Sequence, residues 1–427
     1  MAKILYAGTA SRSFAEGSTL LDKLADLPVP EKQVERVTRR IGAERVAERD
    51  ADVAAFAALP LVEKFAVPSG VTAPPLAVVM ADGGRLQIRD APGSASAPPE
   101  SASTSGTAVG ETAAAAEDWE EENSAAARVG HWREDKVGLL LTMTSEVAAA
   151  DPCPEIPASF LDVVRIPKLV RELHKHVKEG QDAVSDAVEP EAAAEALEAE
   201  ATYRPPVVRQ RQVAASRQTW PMFALLLAQA AWALGFQGAA RKAFVGDGSA
   251  NHWKVQRRFF GSFVPILDFI HALSYVFAAA MAGRRFAAGW AVYPQWIRWV
   301  WQGQVVEVIA ALEVRQAELG LAQKDEPETS PRRVVEKTLK YLRNHQDKMR
   351  YDEYRRQGLP ITSSHVESVV KQINHRVKGT EKFWSEEGSE AVLQLRADYL
   401  SDGQPLEAFW ERRQAAATGQ RRYSRVG

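Results

Sequence analysis

Four short apolar runs separated by helical patterns restrict this chain to an α/β architecture. LAVVMA opens at residue 76, KVGLLLTM covers 136–143, KAFVG opens at 242 and VPIL at 264. Runs of this length read as strands buried on both faces. RLQIR, just after LAVVMA, alternates as a half-exposed strand does, and Asp82-Gly83-Gly84 between the two predicts a bulge or tight bend. PMFALLLAQAAWALGF, 221–236, predicts an apolar helix lying on the sheet. VPILDFIHALSYVFAAA predicts a strand that runs into a helix. The expected order is three strands, a helix, a strand, a helix, a strand, a helical insertion and a last helix. That order describes a mixed sheet with helices on its faces.

The flanks differ in character. Residues 14–58 read as helical, with Pro30 in a first turn and Val34, Val37 and Ile41 at helical spacing. Gly42 is placed to end that helix, and a second is expected from Ala43 to Ala58. Such a pair suits either a helix-turn-helix reader of DNA or a packing hairpin. Residues 91–127 are small, Pro-rich and acidic, which predicts a flexible insertion. VRELHKHVKEG reads as helical, and 180–202 as an acidic Ala/Glu helix or tether. Residues 282–357 have a helical pattern and carry Trp290, Tyr293, Trp296, Trp299 and Trp301; the tail from Thr418 is rich in Gly, Ser and Arg.

The 427 residues hold one cysteine, Cys153, which excludes an internal disulfide and a Cys-rich zinc module. The opening residues lack the apolar core of a secretory signal, and the apolar runs are too short or interrupted to span a bilayer. A cytoplasmic location is the expectation. The net charge of −2 conceals an asymmetry: residues 201–427 hold 33 Lys and Arg against 21 Asp and Glu, while residues 1–200 hold 20 against 34. Binding of phosphate needs local positive charge and not a positive mean.

Three acids stand out. Asp82 and Asp247 each end an apolar run and are followed by Gly, and Glu367 opens an amphipathic helical stretch in LPITSSHVESVV. Hard carboxylates on separate elements are what a pair of divalent cations needs for phosphodiester chemistry. Each also has a plain reading: Asp-Gly is a common turn pair, and Glu367 is a first-turn acid behind a Ser363 or Ser364 cap. Lys371, His375, Arg376, Lys378 and Lys382 follow Glu367, with 367, 371, 375 and 378 expected on one helix face, suited to a DNA backbone or to solvent. Trp296 and Trp299 suit either base stacking or a helical core.

AVVMADGGRLQIRD, WREDKVGLLL, FVGDGSANHW, VPILDFIHALSYV and the block GLPITSSHVESVVKQINHRVKGTEKFWSEEGSEAVLQLRADYLSD together resemble bacterial insertion-sequence transposases of the DDE type. The resemblance is to the Kra-type insertion-sequence family, akin to Mutator-like transposases. It implies an RNase H-like core with an all-helical insertion before the last acid. The implied layout is an N-terminal helical region at 1–70, the first part of the core at 71–280 interrupted at 91–128, a helical insertion at 281–358, the last part of the core at 359–405, and a basic tail at 406–427. Asp82, Asp247 and Glu367 fall on the catalytic acids, which implies two Mg²⁺ or Mn²⁺ ions. Asp268 and His271 in ILDFIHA are implied as supporting residues, with Asp268 as the rival second acid. The implied activity is cleavage at element ends and transfer of the 3′ hydroxyl into target DNA. Terminal repeats and target DNA are the implied partners, with a homodimer or larger assembly on DNA. A nuclease or resolvase that cuts without joining, and an inactive DNA-binding derivative, are the alternatives.

Overall fold

The computed structural model describes residues 1–89, 131–178, 204–379 and 382–416. Helices α1 (Ala2–Ala10), α2 (Phe14–Ala25), α3 (Glu31–Ala58) and α4 (Leu61–Phe65) come first, then β1 (Leu76–Ile88), β2 (Trp132–Thr144), α5 (Arg165–Lys178), β3 (Val207–Ser216), α6 (Trp220–Ala233), β4 (Arg241–Gly246) and α7 (Ala250–Phe259). β5 (Val264–Leu267) runs into α8 (Phe269–Met281), followed by α9 (Phe286–Trp301), α10 (Val305–Leu319), α11 (Pro331–His345) and α12 (Tyr351–Arg356). The chain closes with α13 (Ser364–Val377), β6 (Phe383–Trp384), α14 (Glu386–Leu400) and α15 (Pro405–Ala415). No helix among the described residues is long and apolar enough to cross a membrane.

The strands form one mixed six-stranded sheet in the order β3-β2-β1-β4-β5, with β6 also on β1. β1–β2 and β2–β3 are antiparallel, whereas β4 and β6 run parallel to β1, and β5 parallel to β4. Leu76 to Ala81 is buried at every position because helices cover both faces of the sheet: α6 packs on β2 and β3, and α13 on β1 and β2. The unbroken apolar run follows from that double cover.

Several sequence expectations change. LAVVMA and RLQIR are one strand, not two. β2 supplies a partner for every residue from Leu76 to Gln87, so Asp82-Gly83-Gly84 is neither bulge nor bend. β3 was not expected. Its VVRQRQ half is polar and partly exposed at the sheet edge, where a buried-strand pattern is not required. Gly42 does not end a helix: α3 continues through it, with Pro30 just outside its first turn, so the expected pair of short helices, as DNA reader or packing hairpin, is one continuous helix. A Cβ at Gly42 would lie 2.7 Å from both the Cβ and the carbonyl oxygen of Ala391, so the glycine lets α3 lie close against α14. Arg45 to Asp398 and Arg49 to Glu390 then tie these two helices together. The helical character of 282–357 is observed as α9–α12. The expectations for 91–127, for 180–202 and for the tail from Thr418 lie outside the described residues.

Candidate active site

Parallel pairing of β1 and β4 places the two aspartates. Met80 pairs with Val245, so two residues further along each chain bring Asp82 and Asp247 level on adjacent strand lines. β4 ends at Gly246, and Asp247 is the first residue beyond it. β1 continues, and among the described residues its edge from Ala81 to Leu86 has no strand partner on that side until β6 pairs with Gln87 and Ile88. The sheet therefore opens at the two acids. Glu367 arrives from α13, which packs on β1.

The electrostatics couple Asp82 to both of the other acids. Burial first, then the charges of Asp247 and Glu367, push the Asp82 carboxyl up to about 7. Burial also acts upward on Asp247, but the His252 charge, a further charge on His271 and the Ser249 N–H outweigh it and hold Asp247 below the usual carboxylate range. Ser249 N donates to Asp247 Oδ1 at 2.9 Å, and His252 Nδ1 lies 2.8 Å from the same oxygen. Burial raises Glu367, with Asp268 adding to the rise while His271, Ser363 and Lys371 oppose it. Asp247 keeps 33% of its side-chain surface open.

Asp268 and His271 do a different job. Burial opposes the charge on His271, yet its contact with Asp268 raises it to about 10. The ring Nδ1 lies 2.7 Å from Asp268 Oδ2, which also accepts from His271 N. Asp268 Oδ1 accepts from Ser363 N at 2.7 Å, and Phe269 N donates to Ile361 O. Asp268 thus caps α8 and fastens the segment that leads into α13, whose Ser363 hydroxyl donates to Glu367. Among the described residues, the one set with ligand atoms all within 4.8 Å of one another is Asp268, His271 and Glu367. Both Asp268 oxygens are already committed and its side chain is 1% exposed, so we count it as a positioning acid and not as an open ligand. The open carboxylates are Asp82, Asp247 and Glu367. In the absence of a metal, the charges on His252 and His271 offset them.

The expected DNA contacts divide. Lys371 is half-buried and near enough to Glu367 to affect its ionisation, and His375 is exposed. Arg376 is buried: its guanidinium donates to Gly8 O and lies over the Phe14 and Trp384 rings. Lys378 falls just past the end of α13, not on its face, and sits over Trp132. Lys382 donates to the backbone oxygens of Arg12, His375 and Arg376. Trp296 is 5% exposed within the helical core, with Tyr293 and Trp301 fully buried beside it, while Trp299 is half-buried against the same core. Arg376 and Trp296 therefore present no open face to a nucleic acid.

His252 and Tyr341 are site residues that sequence reasoning missed. His252 lies five positions after Asp247 on the first turns of α7, a spacing legible in GDGSANHW but not distinctive. Tyr341 comes from α11, almost a hundred residues away, with no local signal. Compared with models of protein families and with curated proteins, the chain matches none.

Proposed function

We propose that this protein is a DNA transposase of the DDE type on an RNase H-like core. Asp82, Asp247 and Glu367 hold two Mg²⁺ or Mn²⁺ ions in this reading. One observation carries it: acids separated by 165 and then 120 residues in sequence come near enough that Asp82, level with Asp247 where β4 ends beside β1, responds to the charges of both Asp247 and Glu367. The strand order, with the antiparallel run β1-β2-β3 on one side of β1 and strands parallel to β1 on the other, is compatible with that core.

The donor set fits the cations. Three partly exposed carboxylates on separate elements suit hard ions that keep some water. Bound there, two such ions would activate an oxygen nucleophile and relieve charge at a phosphate. The chain's own residues prepare the site. Asp247 stays ionised because the His252 charge and the Ser249 N–H favour its anion. Glu367 is held at the start of its helix by Ser363, which Asp268 fixes in turn. Lys371 adds positive charge beside Glu367, where a phosphate backbone would pass.

The test incubates the full chain with labelled DNA ends from its own element, a target duplex and Mg²⁺ or Mn²⁺. Joined product that disappears with Asp82→Asn supports transposition. Cleavage without joining moves the assignment to a nuclease or resolvase. DNA binding with no metal-dependent cleavage in the parent protein moves it to an inactive derivative.

A further inference from the structure

The Asp247–Gly248 corner is gripped from two directions. On one side, Ser249 N and His252 hold the Asp247 carboxylate. On the other, the Tyr341 hydroxyl donates to the Asp247 backbone oxygen at 2.7 Å. Tyr341 belongs to α11, in the helices that separate the second and third acids. Its ring stacks on Tyr275 of α8 with centroids 3.8 Å apart and planes 11° from parallel. His345, one turn further along α11, packs edge-on against the same ring at 4.9 Å. Gly248 makes this approach possible: its φ is +107°, and a Cβ there would lie 2.7 Å from Tyr341 Cε2 and 3.2 Å from His345 Nε2.

We propose that Tyr341 is a positioning residue for Asp247, through which the inserted helices set the second metal-binding acid. The proposal rests on the reading of Asp247 as a metal ligand. A backbone carbonyl one residue's length from a ligating carboxylate fixes where that carboxylate can point. A ring clamped between Tyr275 and His345 has little freedom to release it. The same hydroxyl reports any displacement of α11 directly to the site. If DNA moves these helices, the acid moves with them. Hydrogen bonds behind a ligand of this kind commonly change metal affinity by about 10–100-fold.

Mn²⁺ titration of the full chain, read by calorimetry or by electron paramagnetic resonance, tests this. Asp247→Asn serves as the site reference, and Arg343→Gln as a control on the same helix, where it removes only an exposed pair with Glu313. Tyr341→Phe removes the hydroxyl and keeps the stack. The expected result is Mn²⁺ binding about tenfold weaker in Tyr341→Phe, unchanged in Arg343→Gln and lost at one site in Asp247→Asn. DNA cleavage by Tyr341→Phe should recover at about tenfold higher Mn²⁺, a shift that mere loss of stability does not produce. If Tyr341→Phe fails to fold by circular dichroism, Tyr275→Leu, which removes the backing ring, takes its place with the same expectation. Wild-type affinity in these variants would overturn the inference while leaving the function intact. A parent protein whose Mn²⁺ binding is absent, or indifferent to Asp247→Asn, would overturn both.

Discussion

The acid-lined corner where β4 leaves β1 and the tryptophan-rich helix α9 are linked by α8, and they are built in opposite ways. At the corner, Asp82 and Glu367 are held at the cost of their own ionisation beside an ionised Asp247, part of whose surface stays open. On the inner side of α9, Tyr293, Trp296 and Trp301 are packed into the core. Trp301 is fully buried, donates Nε1 to Cys153 O at 2.8 Å and lies under the Arg355 guanidinium at 4.0 Å. The corner is poised to take something in; the aromatic core is finished as it stands. The contrast teaches that local unfavourable energy, more than residue rarity, marks the place where chemistry is done.

The comparison breaks most sharply at the acids. Asp82→Asn, Asp247→Asn or Glu367→Gln should each reduce metal-dependent DNA cleavage about a thousandfold or more, since several kcal/mol of transition-state stabilisation are at stake. Circular dichroism should show the fold retained. Cleavage within tenfold of the parent in any of them removes that acid from the site.

Trp301→Ala should instead cost about 3–5 kcal/mol of stability through its cavity, measured by denaturant unfolding. Its DNA affinity per folded molecule should be unchanged. A folded Trp301→Ala protein that no longer binds DNA would reverse the distinction between the two regions.

A smaller effect tests the frame around both. Gly42→Leu forces a side chain against the Ala391 backbone and should destabilise by about 1–3 kcal/mol. No loss of stability would mean that α3 and α14 do not need their close approach.

The last test is a pH dependence. Asp82 titrates at about 7 in the folded protein against an ordinary 3.8. Between those values the folded state holds a proton that the unfolded state has lost, so metal-free stability falls as pH rises and levels off above about 7. His271 acts in the same direction over a higher window, from 6.5 to about 10. Subtracting the Asp82→Asn melting curve isolates the first slope. A difference that is flat between pH 4 and 7 would show that neither burial nor the neighbouring acids raise Asp82.

Much of the frame was legible from residues alone. The apolar runs at 76, 136, 242 and 264 are strands, and the long helical stretch after 282 is helical, because double-sided burial and helical periodicity leave direct marks on sequence. The edge strand β3 left no such mark, since RQRQ serves a half-solvated position as well as any loop. Gly42 read as a terminator because a glycine's absent side chain looks the same whether it ends a helix or admits a neighbour. Arg376 read as a surface cation, yet its charge is spent on Gly8 O and two aromatic rings.

What the sequence alone determined was the inventory: an α/β chain, three acids on separate elements, and a helical block before the third. Only the tertiary structure decided their roles. Register between β1 and β4 set two acids level, Asp268 became the fastening for Glu367, and Tyr341 reached Asp247 from far along the chain. The reason is physical. Periodicity and burial are properties of neighbouring residues, whereas a shared electrostatic site is a property of distances that no local pattern encodes.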